Sequence, residues 1–474
     1  MNTNETRTKK TFRMPNAFVI LLLVIAAVSL LTYVIPAGIY NQTPNAGGYM
    51  VADPDSYHLV EQSPVTFRQF LTAIPTGFVE AAWPIAMTLF VGAAFAVVQK
   101  IGLIPAAIEH LAHKYSTKGT LVIPFMMFVF AMIDSFIGTP ELVVIYIPIV
   151  MPLMIRLGFD SVTAVATVLC GSAAGFSAAL TNPFTVAIGQ QISGLPLYSA
   201  TWYRIITFVV TWGIGALYLM RYAKKIQANP SLSNTWKEDE AKREKYCGAG
   251  YSAQAGRKLD GRQKAAAGFS AAMFLLMLVG MILFKWDMPE MCAIFLVMGV
   301  GAGLIVRMNV DELCDTLVQG CSDMMLGALV IGASRAISVV MTEANIIHSV
   351  VHALASVLTD LPKVITVLGI LLAVTLLNFL IPSGSGKAVV LFPILAPLAD
   401  IVGLTRQTCV LAYQFGDGFT NYLWPTVGYF MAGLSIGGVS WQKWTRFYFP
   451  LFLMWLCSST AFLMIAQLIH LGPF

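Results

Sequence analysis

The chain has 474 residues, of which 57% are hydrophobic and 11% charged, with a formal net charge of +5. A soluble domain carries roughly 25% charged residues, which excludes a string of soluble domains. Several stretches approach or exceed the roughly 20 apolar residues that cross a bilayer, so the expected class is an all-α polytopic membrane protein. The positive excess is accounted for by its placement along the chain and gives no reason to expect a nucleic-acid partner. Seven cysteines are scattered without a CxxC pair, mostly in apolar runs, and are read as small buried hydrophobes.

Residues 1–16 form a basic tail with Arg7, Lys9, Lys10 and Arg13, which the positive-inside rule puts in the cytoplasm. The first crossing, 17–36, is long, and "YVIPAGIYNQ" is a poor cleavage site, so it is expected to stay uncleaved. Residues 38–73 carry acids, glycines and prolines with Arg68 as the only base, as an outside loop would. The first half, 17–221, continues with crossings at 78–99 and 200–221, a hairpin at 119–157 and a broken helix at 162–195. The stretch from Arg221 to Lys264 holds eleven Lys/Arg and five Asp/Glu; 222–264 is read as a solvated cytoplasmic linker. The second half, 265–474, has crossings at 265–284, 290–307, 318–341 and 446–470, a hairpin at 363–400 and a broken helix at 405–437.

The halves are related. Gly77 and Gly320 are 243 residues apart, and "PIVMPLMIRLGF" from Pro148 falls on "PILAPLADIVGL" from Pro393, 245 residues on. Gly171 meets Gly416, and Pro183 meets Pro425 after a three-residue slip. Counting crossings from an inside N-terminus makes 78–99 and 318–341 run in opposite directions, an inverted repeat of the kind that builds secondary transporters. The two hairpins are pairs of segments of about 16 residues, short for a crossing, around the tips "IGTPE" (137–141) and "PSGSGK" (382–387). They are expected to be re-entrant, which is tolerated only where the tip is buried in protein or lines a watered cavity. Breaks at "ALTNPFTV" and "FGDGFTNYLWPTVG" would give half-helix ends, N-termini for anions and loose carbonyls for cations.

Polar residues at that depth are the candidate site. "SGSGK" lacks the spacing and preceding strand of a phosphate-binding P-loop, yet a glycine-rich tip opening a helix presents N–H groups to a carboxylate. Lys387 adds a positive charge, unless it snorkels to the surface. Intramembrane acids are costly and by default functional, which singles out Asp134, Glu141 and Asp417. "FGDG" lacks the order of the intramembrane aspartyl protease motif, and a second catalytic aspartate is not evident. His348 and His352, spaced i, i+4, could bind a metal but have no obvious third ligand. Arg335 is expected to pair with Asp323 or Glu343.

The stretch "NFLIPSGSGKAVVLFPILAPLADIVGLTRQTCVLAYQFGDGFTNYLWPT", with "IYIPIVMPLMIRLGFDSVTAV" and "TNPF", resembles the YfcC family of bacterial membrane proteins. Members are described as basic amino-acid antiporters and are related to anaerobic C4-dicarboxylate carriers. The resemblance covers nearly the whole chain outside the tail and linker. It implies the ion-transporter fold, with scaffold and transport domains, two hairpins and two broken helices, and a homodimer moving elevator-fashion in the bacterial inner membrane. The chain departs from the pattern at Lys387, where an uncharged residue such as Gln is expected, and at Glu141, where relatives can have an acidic pair. The expected activity is secondary transport of a small charged metabolite, foremost a basic amino acid, without a cofactor and coupled to exchange, Na⁺ or H⁺. Substrate would meet Thr139, Glu141, Thr181, Asn182, Ser383, Gly384, Ser385, Lys387, Asp417, Asn421 and Thr426. Glu141 and Asp417 would hold its cationic end, and Lys387 with the second tip its carboxylate. Asp134, Glu141, Asp417 and Asn182 would hold the coupling ion or proton. The alternative is a C4-dicarboxylate carrier; a channel or an intramembrane enzyme does not account for two matched hairpins with breaks.

Overall fold

The computed structural model describes residues 17–44, 50–103, 106, 119–248, 259–284, 286–359 and 363–472. The basic tail lies outside them. Helix α1 (Ala17–Leu31) leads to two small antiparallel ladders, β1 (Gly38–Ile39) with β4 (His58–Leu59) and β2 (Gln42–Pro44) with β3 (Met50–Ala52). The first half continues with α2 (Phe67–Glu80), α3 (Ala82–Lys100), α4 (Val122–Ile137), α5 (Val143–Arg156), α6 (Ser161–Ala178), α7 (Ile188–Ile192) and α8 (Thr201–Ala228). The linker holds α9 (Glu240–Cys247). The second half has α10 (Gly261–Leu283), α11 (Met288–Ile305), α12 (Val310–Asp323), α13 (Met325–Glu343) and α14 (Ile347–Thr359). It ends with α15 (Lys363–Leu380), α16 (Gly384–Val402), α17 (Arg406–Thr420), α18 (Gly428–Gly437) and α19 (Trp441–Leu468). Eight helices among the described residues are long and apolar enough to cross a membrane.

The element boundaries carry the repeat further than the sequence did. Helices α2 and α3 start at 67 and 82, and α12 and α13 at 310 and 325, each 243 later. Helix α6 starts at 161 and α17 at 406, 245 later, while α8 and α19 are both 28 residues long. The contacts are reciprocal as well. A Cβ on Gly77 would stand 2.7 Å from Ala336 N, and one on Gly320 would stand 2.7 Å from Ala93 Cα, the repeat mate of Ala336. A Cβ on Gly171 would lie 2.9 Å from Met127 O, and one on Gly416 2.8 Å from Leu371 O. A contact between i and j that returns between the mates of j and i is the mark of two-fold packing. Small residues provide it by letting helix backbones approach closely.

Several expectations need correction. The crossings at 78–99 and 318–341 are each two helices, parted at Ala81 (φ −98°, ψ 18°) and Met324 (φ −96°, ψ −2°). The preceding helices α2 and α12 are amphipathic; α12 carries Asp311, Glu312, Asp315 and Asp323. Helix α1 stops at Leu31, short of 36, and the chain turns before Pro36. Hairpin arms are uneven: 119–137 and α16 have 19 residues each, enough to cross by length, whereas the return arm α5 has 14. Helix α18 begins 245 residues after Pro183, so Pro183 matches Gly428 and Pro425 falls inside a longer break.

The linker is also less solvated than its charge suggests. Asp239 is fully buried and accepts from Ser161 N (2.8 Å) and Ser161 Oγ (2.5 Å) at the start of α6, with Lys242 Nζ 3.1 Å away. Asp160 caps α6 through Thr163 N and accepts from Tyr222 and Ser233. Of the cysteines, Cys170, Cys292 and Cys409 are buried, and Cys247, Cys314 and Cys457 are exposed. Arg335 pairs with Glu80 at 2.8 Å, across the repeat interface, rather than with Asp323 or Glu343.

Because the atoms facing Gly77 and Gly320 are backbone, neither neighbour can move aside. Gly77→Ala and Gly320→Ala are each expected to destabilise the purified protein by about 1–3 kcal/mol, read as a lower thermal unfolding midpoint in detergent. A midpoint unchanged in either variant would mean that the helices do not meet this closely.

Candidate functional site: two hairpin tips on two broken helices

Each broken helix is built from its own sequence. Asp160 caps the start of α6 and Thr405 that of α17. Helix α6 ends at Ala178 and the chain resumes at Pro183, where Asn182 Oδ1 accepts from Phe184 N (2.9 Å) and Thr185 N (3.2 Å). Helix α17 ends at Thr420 and the chain resumes at Gly428. All residues of α6 and all but the first of α17 are buried. The two cross where a Cβ on Gly418 would stand 2.8 Å from Ser177 Cα, and Gln414 Nε2 donates to Phe176 O (2.6 Å). The carbonyls left free at the breaks are met in matching ways: Arg204 of α8 donates to Ala178 O (3.3 Å) and Trp444 of α19 to Tyr422 O (2.7 Å).

The first arm of each hairpin packs on the first half of its own broken helix, α4 on α6 and α15 on α17. The second arm packs on the second half of the other repeat's broken helix, α5 on α18 and α16 on α7. Both tips are thereby drawn to the crossing. A Cβ on Gly384 would stand 2.8 Å from Thr185 Cγ2 and 3.1 Å from Asp417 Oδ2, joining the second tip to both breaks. Gly138 turns the first tip at φ +71°, and any Cβ there would strike Asn182.

At the second tip the central interaction is a wholly buried ion pair. Lys387 Nζ lies 2.6 Å from Asp417 Oδ1 and 2.6 Å from Asn378 Oδ1, and 5.9 Å from the Tyr413 ring centroid. Asn378 Nδ2 donates to Thr420 Oγ1 (2.9 Å), Asn421 Oδ1 (2.8 Å) and Asp417 O (3.3 Å). Tyr413 closes the group by donating to Gly384 O. Ser383 Oγ accepts from Gly386 N (3.3 Å), capping α16. Lys387 therefore neither snorkels nor presents a free charge: Asp417 cancels it. Asn378 and Tyr413 are partners that the sequence reading missed.

At the first tip the acids have no basic partner among the described residues. Asp134 is buried; Ser172 donates to its Oδ2 and is itself bonded to Tyr422 of the other repeat, while Asp134 Oδ1 has no partner. Glu141 is half-buried in an open cleft lined by Thr88, Val91, Ile145, Ile331 and Tyr429, with about 10 Å³ of free volume, room for about one water. Thr139 Oγ1, Asn182 Nδ2, Thr185 Oγ1 and Thr426 Oγ1 are buried and unpartnered. Buried polar atoms are normally bonded, and these four are exceptions. Thr181, half-buried, donates to Phe136 O (3.2 Å), and Ser385 is half-buried at the second tip. The histidines stand apart: Tyr40 N donates to His348 Nδ1 (3.1 Å), and Tyr40 OH meets His352 Nδ1 (2.9 Å). They hold the loop after α1, and no cluster of three or more metal-ligating side chains occurs among the described residues.

A multi-pass helical protein with buried charge at paired, repeat-matched tips and breaks is a membrane transporter. The particular group follows from comparison with known proteins: residues 14–468 match the C4-dicarboxylate anaerobic carrier family, DcuC, and the chain belongs to that family of secondary transporters. It is 28% identical over 490 residues to YfcC of Escherichia coli (strain K12), covering 93% of this chain and 94% of that one. The name of YfcC provisionally makes it a basic amino acid antiporter. Among solved structures the chain is similar to the YdaH transporter of Alcanivorax borkumensis (TM-score 0.41, 16% identity, 97% of this chain and 100% of that one). It is also similar to MtrF of Neisseria gonorrhoeae, of a class of antimetabolite efflux pumps (TM-score 0.44, 17% identity, 98% of each chain).

Asn378→Leu removes the acceptor for the Lys387 ammonium and the donor for three oxygens at similar volume. It is expected to cost about 3 kcal/mol, the range for stranding buried charged partners, measured by thermal unfolding in detergent. A loss below about 0.5 kcal/mol would show that Asn378 does not hold the pair.

Proposed function

We propose that the chain is a secondary transporter of a basic amino acid in the bacterial inner membrane, by exchange or with ion coupling. The observation that carries this reading is the charge balance of the two tips. Lys387 is consumed by Asp417, so Asp134 and Glu141 leave the site net negative, which favours a cationic substrate and disfavours a dianion. Glu141, beside the open cleft, holds the side-chain cation. The N–H groups of Ser383 to Ser385, at the N-terminus of α16, hold the carboxylate. Thr139, Thr181, Asn182, Asn421 and Thr426 supply neutral contacts. Asp134, with Asn182, takes the coupling ion or proton, and Asp417 serves through its pair with Lys387 rather than as a free carboxylate.

The hairpins in this reading are re-entrant, with the two tips entering from opposite faces, and the 14-residue return arm α5 supports that. The transport unit, α4–α7 and α15–α18, moves elevator-fashion against α2, α3, α12 and α13 in a homodimer whose N-terminus is cytoplasmic. C4-dicarboxylate transport is the second reading, favoured by the family's description; it needs the Lys387–Asp417 pair to open and the first-tip acids to be protonated.

Uptake of labelled arginine, ornithine and succinate into proteoliposomes, with and without Na⁺ and internal counter-substrate, separates the two. Arginine or ornithine uptake is expected, and Glu141→Gln should reduce its kcat/KM by about 10–100-fold, the equivalent of one charged hydrogen bond. Succinate uptake without either amino acid would overturn the basic amino-acid reading.

A further inference from the structure

The pseudo-two-fold register places two polar groups in matching positions with opposite charge arrangements. Met127 and Leu371 are mates, 244 apart, by their contacts with Gly171 and Gly416. Seven residues on, Asp134 is therefore the mate of Asn378. One residue past the glycines, Ser172 is the mate of Asp417. In the first half the acid is on the hairpin arm and the neutral residue on the broken helix; in the second half the two have changed places. Each pair is hydrogen-bonded, Ser172 Oγ donating to the Asp134 carboxylate and Asn378 Nδ2 to the Asp417 backbone carbonyl.

What differs is the cation. In the second half Lys387 Nζ lies 2.6 Å from both Asp417 and Asn378, fully buried. The position matching Lys387 in the first half, by the 245-residue register of Pro148 with Pro393, is Leu142, also fully buried. Among the described residues, the ionisable groups that interact electrostatically with Asp134 are Glu141, Tyr146, Tyr422 and Tyr429, none of them a base. Asp134 Oδ1 and the Tyr146 hydroxyl are both buried and unpartnered. A buried carboxylate without a counter-charge is costly, so the first half has the acid and the oxygens of a cation site while the second half has its cation covalently attached.

We infer that Lys387 is a tethered cation filling the second-half position, and that its first-half mate, centred on Asp134, takes one small mobile cation, Na⁺ or a proton. The inference rests on the proposed transport function and deepens it: one mobile cation accompanies the cycle rather than two. It also accounts for the departure at Lys387, since a lysine that fills a cation position removes the need for an ion there.

The test uses the purified full-length protein and reads thermal stability, which does not require the substrate to be known. The unfolding midpoint is followed against Na⁺, with choline as the replacement ion, and against pH. A ligand that binds the folded state alone raises stability with a slope set by the number of sites. Wild type is expected to show one-site dependence on Na⁺ or on protons, and Asp134→Asn, a near-isosteric change, to abolish it. Lys387→Met bares Asp417 and is expected about to double the slope; Lys387→Met combined with Asp417→Asn should return it to the wild-type value. If Lys387→Met alone does not fold, the Asp134→Asn result and the double variant still decide. Wild-type dependence retained in Asp134→Asn, no dependence on either cation in wild type, or an unchanged slope in folded Lys387→Met would each overturn the inference. Failure of arginine and ornithine uptake with the predicted slopes intact would instead remove the substrate reading and leave the cation assignment standing.

Discussion

The buried pair of Lys387 with Asp417 is the constraint around which the rest of the site is arranged. Taking two charges out of water costs several kcal/mol per ion, and their attraction offsets that only when the geometry is good and the remaining polar atoms are bonded. Here Asn378 completes the ammonium, Tyr413 lies beside it, and Asn378 ties the pair to Thr420 and Asn421. The pair joins the first turn of α16 to the end of α17 and so holds the second hairpin tip against the break. Such a pair is weak evidence of stability in itself; its value lies in fixing one arrangement of tip and helix.

Neutralisation at one tip determines what the other can do. Because the lysine is spent locally, it leaves the acids at the first tip without a basic partner among the described residues. The close approach of Gly418 to Ser177 brings the two broken helices together near their breaks, while Gly171 and Gly416 seat each first hairpin arm on its own broken helix. Arg204 and Trp444, at equivalent places on α8 and α19, serve the same carbonyl-capping task with different chemistry. The fold is therefore symmetric in backbone and asymmetric in charge.

Much of this was legible in the sequence because prolines and glycines mark backbone events that apolar composition cannot. Matched prolines at 148 and 393 and glycines at 171 and 416 gave the repeat, and the tips and breaks followed. The division of 78–99 and 318–341 into two helices was missed because no glycine or proline stands at Ala81 or Met324; the signal present was the acid just before each, Glu80 and Asp323, 243 residues apart. Asn378 is a single amide in "AVTLLNFL" and raised no signal alone; carrying the repeat register from Asp134 would have found it. Charge density misled at the linker, where Asp239 is buried by capping Ser161, and at Arg335, whose partner Glu80 is remote in sequence. For Lys387 the sequence supplied a charge at the tip, but only the fold shows it turned inward onto an acid.

The central claim is that Lys387 and Asp417 act as one buried unit, and a double-mutant cycle on thermal stability addresses it most directly. Lys387→Met and Asp417→Asn are measured singly and together in the purified full-length protein at one pH and salt concentration. Each single change strands a buried charge, expected to cost about 3–5 kcal/mol, while the double change should be close to neutral. The account predicts a coupling energy of about 3 kcal/mol or more; additivity within about 0.5 kcal/mol would contradict it.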